Sequence, residues 1–251
     1  MMRGLLAAIG FLTRVPVPAS ALGDGAAASR SLAWYPAVGL VVAVPLSALA
    51  FVLQDTPPPL GAALLLLAWV LLTGALHLDG LADSADAWVG GMGLSEAERR
   101  ERTLTIMKDP RSGPAAVVAL VLLLLLKFAA LASLGTPAWT ALVLAPVLAR
   151  AALTLAFLTT PYARSGGLGQ ALVGAPRVGC AIALSLTVAL CATVMWTGAL
   201  ALAVALIVFA LWRRACLRRL QGMTGDTCGA LAELVETAVL VALAIAESAA
   251  A

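Results

Sequence analysis

The sequence predicts an all-α, polytopic membrane protein with about seven transmembrane helices and one short interfacial helix at the amino terminus. Of the 251 residues, 62% are hydrophobic and 12% are charged. An average soluble domain carries about 25% charged residues, so a soluble globule is excluded. Apolar runs of about 18 to 23 residues recur, and a helix needs about 20 residues to cross a hydrocarbon core. We therefore treat residues 1–251 as a single integral membrane domain.

The first predicted element is a short helix that lies at the membrane surface. Leu5, Ile9 and Leu12 share one helical face, and Pro16 and Pro18 follow directly and end the helix. A signal peptide is the alternative interpretation, because Arg3 precedes about nine apolar residues and small residues follow.

Proline and glycine divide the rest of the chain into apolar spans. The breakers lie at Pro57–Pro59, Gly135 with Pro137, Pro161, Pro176 and Gly198. The predicted spans are residues 31–53, 60–78, 114–134, 138–159, 178–196, 199–212 and 229–246. The four cysteines show no metal-ligand spacing and are expected to be packing residues.

The basic residues predict how the chain is oriented. The net charge of +3 gives no indication of nucleic acid binding, but 14 of the 16 Lys and Arg residues fall on one side of the predicted spans. Under the positive-inside rule this side, which includes the amino terminus, is cytoplasmic. It also carries every long polar loop, so we expect the chemistry to face the cytoplasm. The fourteen residues are Arg3, Arg14, Arg30, Arg99, Arg100, Arg102, Lys108, Arg111, Arg164, Arg177, Arg213, Arg214, Arg218 and Arg219.

An acidic segment, HLDGLADSADAW, begins where the second span meets the cytoplasmic side. Asp79, Asp83 and Asp86 are spaced i, i+4 and i+7, which places all three carboxylates on one helical face. Carboxylates that repel one another beside lipid favour a divalent cation, and Mg²⁺ or Mn²⁺ suits their hard oxygen atoms. A solvated acidic helix end is the alternative. His77 is either a proton carrier or a hydrogen-bonded interfacial histidine.

Basic side chains suited to phosphate follow at two places. Lys108 and Arg111 precede the third span, and Arg164 and Arg177 flank a loop that contains Gly166, Gly167 and Gly169. By contrast, arginines that alternate with glutamates are expected to pair locally on a solvated helix, so that replacing Arg100 has little effect. These arginines are Arg99, Arg100 and Arg102.

Several ionisable residues fall inside the apolar spans. Lys127 and Arg150 should face the protein interior, where each has an ionic partner or an anionic ligand. Glu233 and Glu236 likewise need a cation, a proton or a hydrogen-bond donor. Near the start of the last span, Asp226 is a helix-capping candidate that shares a face with Glu233.

Together these segments match diphosphate chemistry with a bound metal ion. The motifs HLDGLADSADAW, IMKDPRSGP, YARSGGLG and GMTGDTCGALAEL, with the span that holds Arg150, resemble the cobalamin synthase family over nearly the whole chain. The resemblance implies a Mg²⁺-dependent enzyme of the bacterial cytoplasmic (inner) membrane. It implies that adenosylcobinamide-GDP is joined to α-ribazole, or to its 5′-phosphate, with release of GMP and formation of adenosylcobalamin or its 5′-phosphate.

On this resemblance we assign expected roles to residues, with Mn²⁺ as a substitute for Mg²⁺. The lipid bilayer is an expected partner, nucleic acid is not, and an oligomer is compatible with the sequence. The metal ligands are Asp79, Asp83 and Asp86; the phosphate-binding residues are Lys108, Arg111, Arg150 and Arg164; and the catalytic residues are Asp83, His77, Asp226 and Glu233. The alternatives are a phosphotransferase of the CDP-alcohol type and, with less support, a transporter.

Overall fold

The computed structural model describes residues 2–21, 25–93, 95–135, 138–164 and 168–250. Within these ranges the chain is helical and contains no strand, which confirms the all-α fold class. The α-helices are α1 (Met2–Leu12), α2 (Gly25–Ser31), α3 (Tyr35–Val52), α4 (Pro58–Thr73), α5 (Leu76–Gly90), α6 (Glu96–Ile106), α7 (Pro114–Ser133), α8 (Trp139–Thr159), α9 (Arg177–Thr193), α10 (Met195–Leu220) and α11 (Gly225–Ala250).

Five helical segments in the described ranges are long and apolar enough to cross a membrane. They are Gly25–Val52, which joins α2 and α3, and the helices α7, α8, α10 and α11. The pair α4 and α5 counts as a sixth if both belong to one span, and α9 is a shorter apolar helix. Each predicted span therefore corresponds to a helix, although α10 is much longer than the predicted range 199–212.

The predicted continuous span 60–78 is wrong, because the chain bends by 89° between α4 and α5. Gly74 and Ala75 both adopt left-handed backbone conformations, with φ of 64° and 57°. Gly74 accepts this conformation without steric cost, and it ends α4 as a left-handed C-cap. α5 therefore runs across the end of α4 and does not continue its path. The aspartates lie on this separate helix.

Helices α8 and α11 form the centre of the bundle. In an apolar stretch of 18 residues, 78% of α8 and 72% of α11 is buried inside the protein. The corresponding share is 28% for α7 and 17% for α10. Small side chains allow close packing: a Cβ atom added to Gly39 of α3 would lie 2.5 Å from the Cα atom of Val147 of α8. The two central helices position the residues described below.

The amino-terminal helix α1 packs on the bundle through small residues and Leu12. Its buried residues are Gly4, Ala7, Ala8 and Leu12, whereas Leu5 and Ile9 are only partly buried. Small residues permit this contact, since a Cβ atom at Gly4 would lie 3.3 Å from the Arg30 carbonyl oxygen. All four cysteines are buried and unpaired, which agrees with a packing role.

Candidate active site

The candidate active site forms where α5 crosses the start of α11, and two glycines allow this crossing. A Cβ atom at Gly80 would lie 2.6 Å from the Asp226 carbonyl oxygen and 3.1 Å from the Gly229 Cα atom. A Cβ atom at Gly229 would lie 3.2 Å from the His77 carbonyl oxygen. The backbones thus touch, and the carboxylates of α5 lie beside that of Asp226.

Asp83 lies at the centre of this group of acidic side chains. Burial, and then the negative charges of Asp79, Asp226 and Asp86, raise the pKa of Asp83 to about 6. Asp79 is exposed to solvent, and Asp83 and Asp226 are half-buried. These carboxylates offer oxygen atoms to a cation, and the metal site stays a prediction.

Asp86 has a second role that the sequence analysis did not predict. Its carboxylate accepts hydrogen bonds from the backbone N–H groups of Gly113 and Ala116, at 2.5 and 2.9 Å. These groups form the first turn of α7, where a negative charge is stabilised by the helix dipole. Asp86 therefore anchors α7 to α5, and its role as a metal ligand stays a prediction.

We expect Asp86→Ala to lower the free energy of unfolding by about 1 kcal/mol, as the loss of a helix cap does. Asp86→Asn should give an intermediate loss, because Asn has one acceptor oxygen and can keep only one of the two hydrogen bonds that both carboxylate oxygens now accept. Thermal unfolding of the purified protein in detergent measures both changes. Equal melting temperatures for the Ala variant and the unmodified protein would contradict the capping role.

Arg164 joins the site from the loop after α8. This loop is fixed to the segment before α11 by the isolated bridge between Tyr162 and Met223. The Arg164 Nη1 atom lies 3.4 Å from the Asp226 Oδ2 atom, and its buried Nε atom has no hydrogen-bond partner in the described part of the chain. Arg164 therefore retains a donor for an anionic ligand.

Lys108 and Arg111, two further predicted phosphate-binding residues, do not line the cavity that contains Arg164, although the carbonyl oxygen of the neighbouring Met107 accepts a hydrogen bond from Arg164 at 3.5 Å. Lys108 and Arg111 are exposed in the segment before α7, and Arg111 forms two side-chain hydrogen bonds with Asp109, each of 3.0 Å. Gly166 and Gly167 lie outside the described residues. Gly169 lines the same cavity as Arg164.

Arg150 and Glu233 are part of a buried ionic cluster of Lys127, Arg150, Glu233 and Glu236. The Lys127 Nζ atom lies 2.6 Å from Glu233 and 2.5 Å from Glu236, and Arg150 donates to Glu236. Arg150 is 0% exposed and Glu233 is 4% exposed. Lys127 also lies 5.2 Å from the centre of the Trp69 ring. This cluster joins α7, α8 and α11, and its pairing explains how the predicted intramembrane charges are stabilised.

Two arginines contribute more than the sequence analysis expected. Arg100 does not pair locally: its Nε atom donates to the Leu220 carbonyl oxygen at 3.1 Å, which ties α6 to the end of α10. The Arg219 Nη2 atom donates to the carbonyl oxygens of Ala87 and Trp88 at 3.0 and 2.8 Å. Arg219 thus holds the carboxyl-terminal end of α5. Charge patterning alone does not distinguish these residues from the other cytoplasmic-side arginines.

His77 lies on the buried side of the site. It is 3% exposed, and neither ring nitrogen has a hydrogen-bond partner among the described residues. His77, Asp79, Arg164 and Asp226 line one cavity of about 220 Å³.

A metal ion at this site would need ligands from outside the protein. Among the described residues, no three His, Cys, Asp or Glu side chains are close enough to form a complete metal site. Mg²⁺ is commonly bound in this way, by one or two carboxylates together with water and substrate phosphates. The hard carboxylate oxygens around Asp83 fit that binding mode.

The chain is similar to a family of enzymes over nearly its whole length. A family model described as cobalamin-5-phosphate synthase matches residues 4–244. A Pseudomonas paraeruginosa protein named adenosylcobinamide-GDP ribazoletransferase is 56% identical, over 97% of this chain and 98% of the relative. A Stutzerimonas stutzeri protein of the same name is also 56% identical, over 96% of this chain and 97% of the relative. No solved structure matches.

Proposed function

The chain belongs to the cobalamin-5-phosphate synthase family, and on this premise we propose that it transfers an adenosylcobinamide phosphate group from adenosylcobinamide-GDP to α-ribazole or its 5′-phosphate. The products are GMP and adenosylcobalamin, or adenosylcobalamin 5′-phosphate. The name shared by relatives 56% identical to this chain supports these substrates. The observation that carries the proposal is the meeting of the α5 carboxylates with Asp226 and Arg164.

We propose that Asp79 and Asp83 hold Mg²⁺, with Mn²⁺ as a substitute. Mg²⁺ held by these two carboxylates would supply positive charge that neutralises the diphosphate and the departing GMP. The surroundings of Asp83 support this assignment, since burial and then the negative charges of three nearby carboxylates raise its pKa, and Arg164 offsets them only in part. Asp86 is a weaker candidate because its carboxylate already holds α7.

The protein's own residues would orient the reactants. Arg164, whose Nε donor has no partner among the described residues, is suited to bind a diphosphate oxygen and to hold the phosphorus in line with the acceptor. A ribose hydroxyl of ribazole attacks that phosphorus, the bond to the bridging oxygen breaks, and GMP leaves. We propose that Asp226, in the first turn of α11, accepts the proton from the attacking hydroxyl.

Arg150 and Glu233 support the site from a distance. Glu233 lies two helical turns beyond Asp226, about 10 Å along the helix axis. Its carboxylate is engaged by Lys127. We therefore propose that Arg150 and Glu233 fix α11 against its neighbours. We also propose that the exposed residues Lys108 and Arg111 attract the anionic substrate at the entrance of the site.

We also propose that the site opens toward the cytoplasm across the bacterial inner membrane. The support is the distribution of basic residues, of which 14 of 16 fall on the side that carries the site. The substrates are large, charged molecules, and a cytoplasmic opening gives them access without crossing the bilayer.

The decisive experiment measures GMP release from adenosylcobinamide-GDP by the purified protein in liposomes. We expect release that requires ribazole or its 5′-phosphate, stops with EDTA and returns with Mg²⁺ or Mn²⁺. Absence of GMP, together with turnover of a CDP-alcohol, would refute the proposal in favour of the other phosphotransferase class. Uptake of substrate into liposomes without chemical change would favour a transporter instead.

A further inference from the structure

The cavity beside the carboxylates has two chemically different ends. Its mouth carries Asp79, Arg164 and Asp226, which are exposed or half-buried. Its inner wall is apolar and almost fully buried, with Leu12 and Tyr35 each 1% exposed and Leu153 3% exposed. A ligand that fills the cavity therefore has one apolar end and one polar end.

Aromatic rings form two of the inner walls. Phe11 stacks on Tyr35 with ring centres 6.4 Å apart, and Phe157 stacks on Tyr162 with centres 6.0 Å apart. All four residues line the cavity. Such walls suit a flat aromatic ligand, because ring faces and edges interact favourably at these separations.

His77 adds a polar group to the inner part of the cavity. Both of its ring nitrogens are buried and without a partner among the described residues. A buried polar atom without a partner is destabilising, so a ligand that hydrogen-bonds to His77 gains affinity from that bond. A heterocyclic nitrogen or a sugar hydroxyl has the required chemistry.

We propose that this cavity binds the acceptor nucleoside, with its bicyclic aromatic base against the inner wall and its ribose at the mouth. This inference rests on the proposed function. The cavity volume of about 220 Å³ accommodates a two-ring base but is far too small for a corrin ring. The orientation directs the ribose hydroxyls toward Asp226 and the diphosphate.

The alternative occupant of the same size is the guanine base of the donor, and the wall chemistry disfavours it. Guanine carries hydrogen-bond donors and acceptors around its edge, and each needs a partner when buried. The inner lining is mostly carbon, and its polar side-chain atoms are the two His77 ring nitrogens and the Tyr35 hydroxyl, which are fewer than the polar groups on the edge of guanine. The dimethylbenzimidazole base of α-ribazole is largely apolar and fits this wall better.

Direct binding of α-ribazole to the purified protein, measured by calorimetry without the donor, tests the assignment. We expect Leu153→Trp, which fills the cavity, to weaken binding at least tenfold. Phe157→Leu, which removes one aromatic wall with little change in volume, should weaken it several-fold. Leu155→Trp is the matched control on the same helix, because Leu155 does not line the cavity; it should leave binding unchanged.

Unchanged ribazole affinity in both cavity variants would overturn the assignment, as would displacement of bound ribazole by GMP at equal concentration. Absence of ribazole binding to the unmodified protein would also overturn it. GMP release, measured in parallel, reports separately on the proposed function. Ribazole binding that depends on the cavity, but without GMP release, would support the cavity assignment and refute the proposed reaction.

Discussion

Replacing Asp83 with Asn is expected to lower kcat by roughly 10²–10³-fold or more, which is the effect of removing one main electrostatic contact to a transition state. Asp83 lies between the other carboxylates of α5 and Asp226, and burial followed by the charges of these carboxylates raises its pKa. Asn has almost the same volume but no charge, so the loss is electrostatic. Added Mg²⁺ should not restore activity, because the missing group is the ligand.

The same substitution should leave folding nearly intact, since it removes repulsion between carboxylates. GMP release and thermal unfolding of the same preparation measure the two effects. Asp55→Asn is the matched control, because Asp55 is exposed in the turn between α3 and α4, far along the chain from the site. Activity retained in the Asp83 variant would exclude this residue from the site.

The largest effect on stability is expected for Lys127→Met. Lys127 is 3% exposed and neutralises Glu233 and Glu236, so its loss leaves buried carboxylates with one remaining cation, Arg150. Breaking a buried ion pair by removing one partner costs about 3–5 kcal/mol. We expect poor yield and a clearly lower melting temperature in detergent.

A second substitution separates charge from packing in this cluster. Lys127→Met combined with Glu233→Gln removes one charge of each sign and leaves Arg150 paired with Glu236. The double variant should recover much of the lost melting temperature. Lys108→Met is the matched control, because Lys108 is the other lysine of the chain and is exposed. This variant should have the same melting temperature as the unmodified protein. A double variant no more stable than Lys127→Met would show that the cluster contributes through shape and not through charge.

The sequence predicts the helices well because hydropathy and helix breakers act locally. The bend at Gly74 was missed because Gly74 and Ala75 lie inside an apolar run, where nothing local distinguishes a left-handed turn from a continuing helix. The predicted second span, residues 60–78, therefore extends past the true end of α4 into the helix that carries the aspartates.

The sequence shows which buried residues need an ionic partner, but it does not show which residue that partner is. Lys127, Arg150, Glu233 and Glu236 were each recognised as charges that need compensation, because hydrocarbon imposes that need on any ion. Their pairing with one another depends on how α7, α8 and α11 pack. The same limit applies to Asp86, whose contact with Gly113 joins residues 27 positions apart in the chain.

The four cysteines described above make the orientation of the chain directly accessible to chemistry. All of them are buried in the bundle, and buried thiols react slowly. A single cysteine introduced into an exposed loop would then be the fastest-reacting thiol in the protein. Impermeant maleimides, applied to intact cells and to inverted vesicles, can therefore assign each loop to its compartment without the native thiols first being removed.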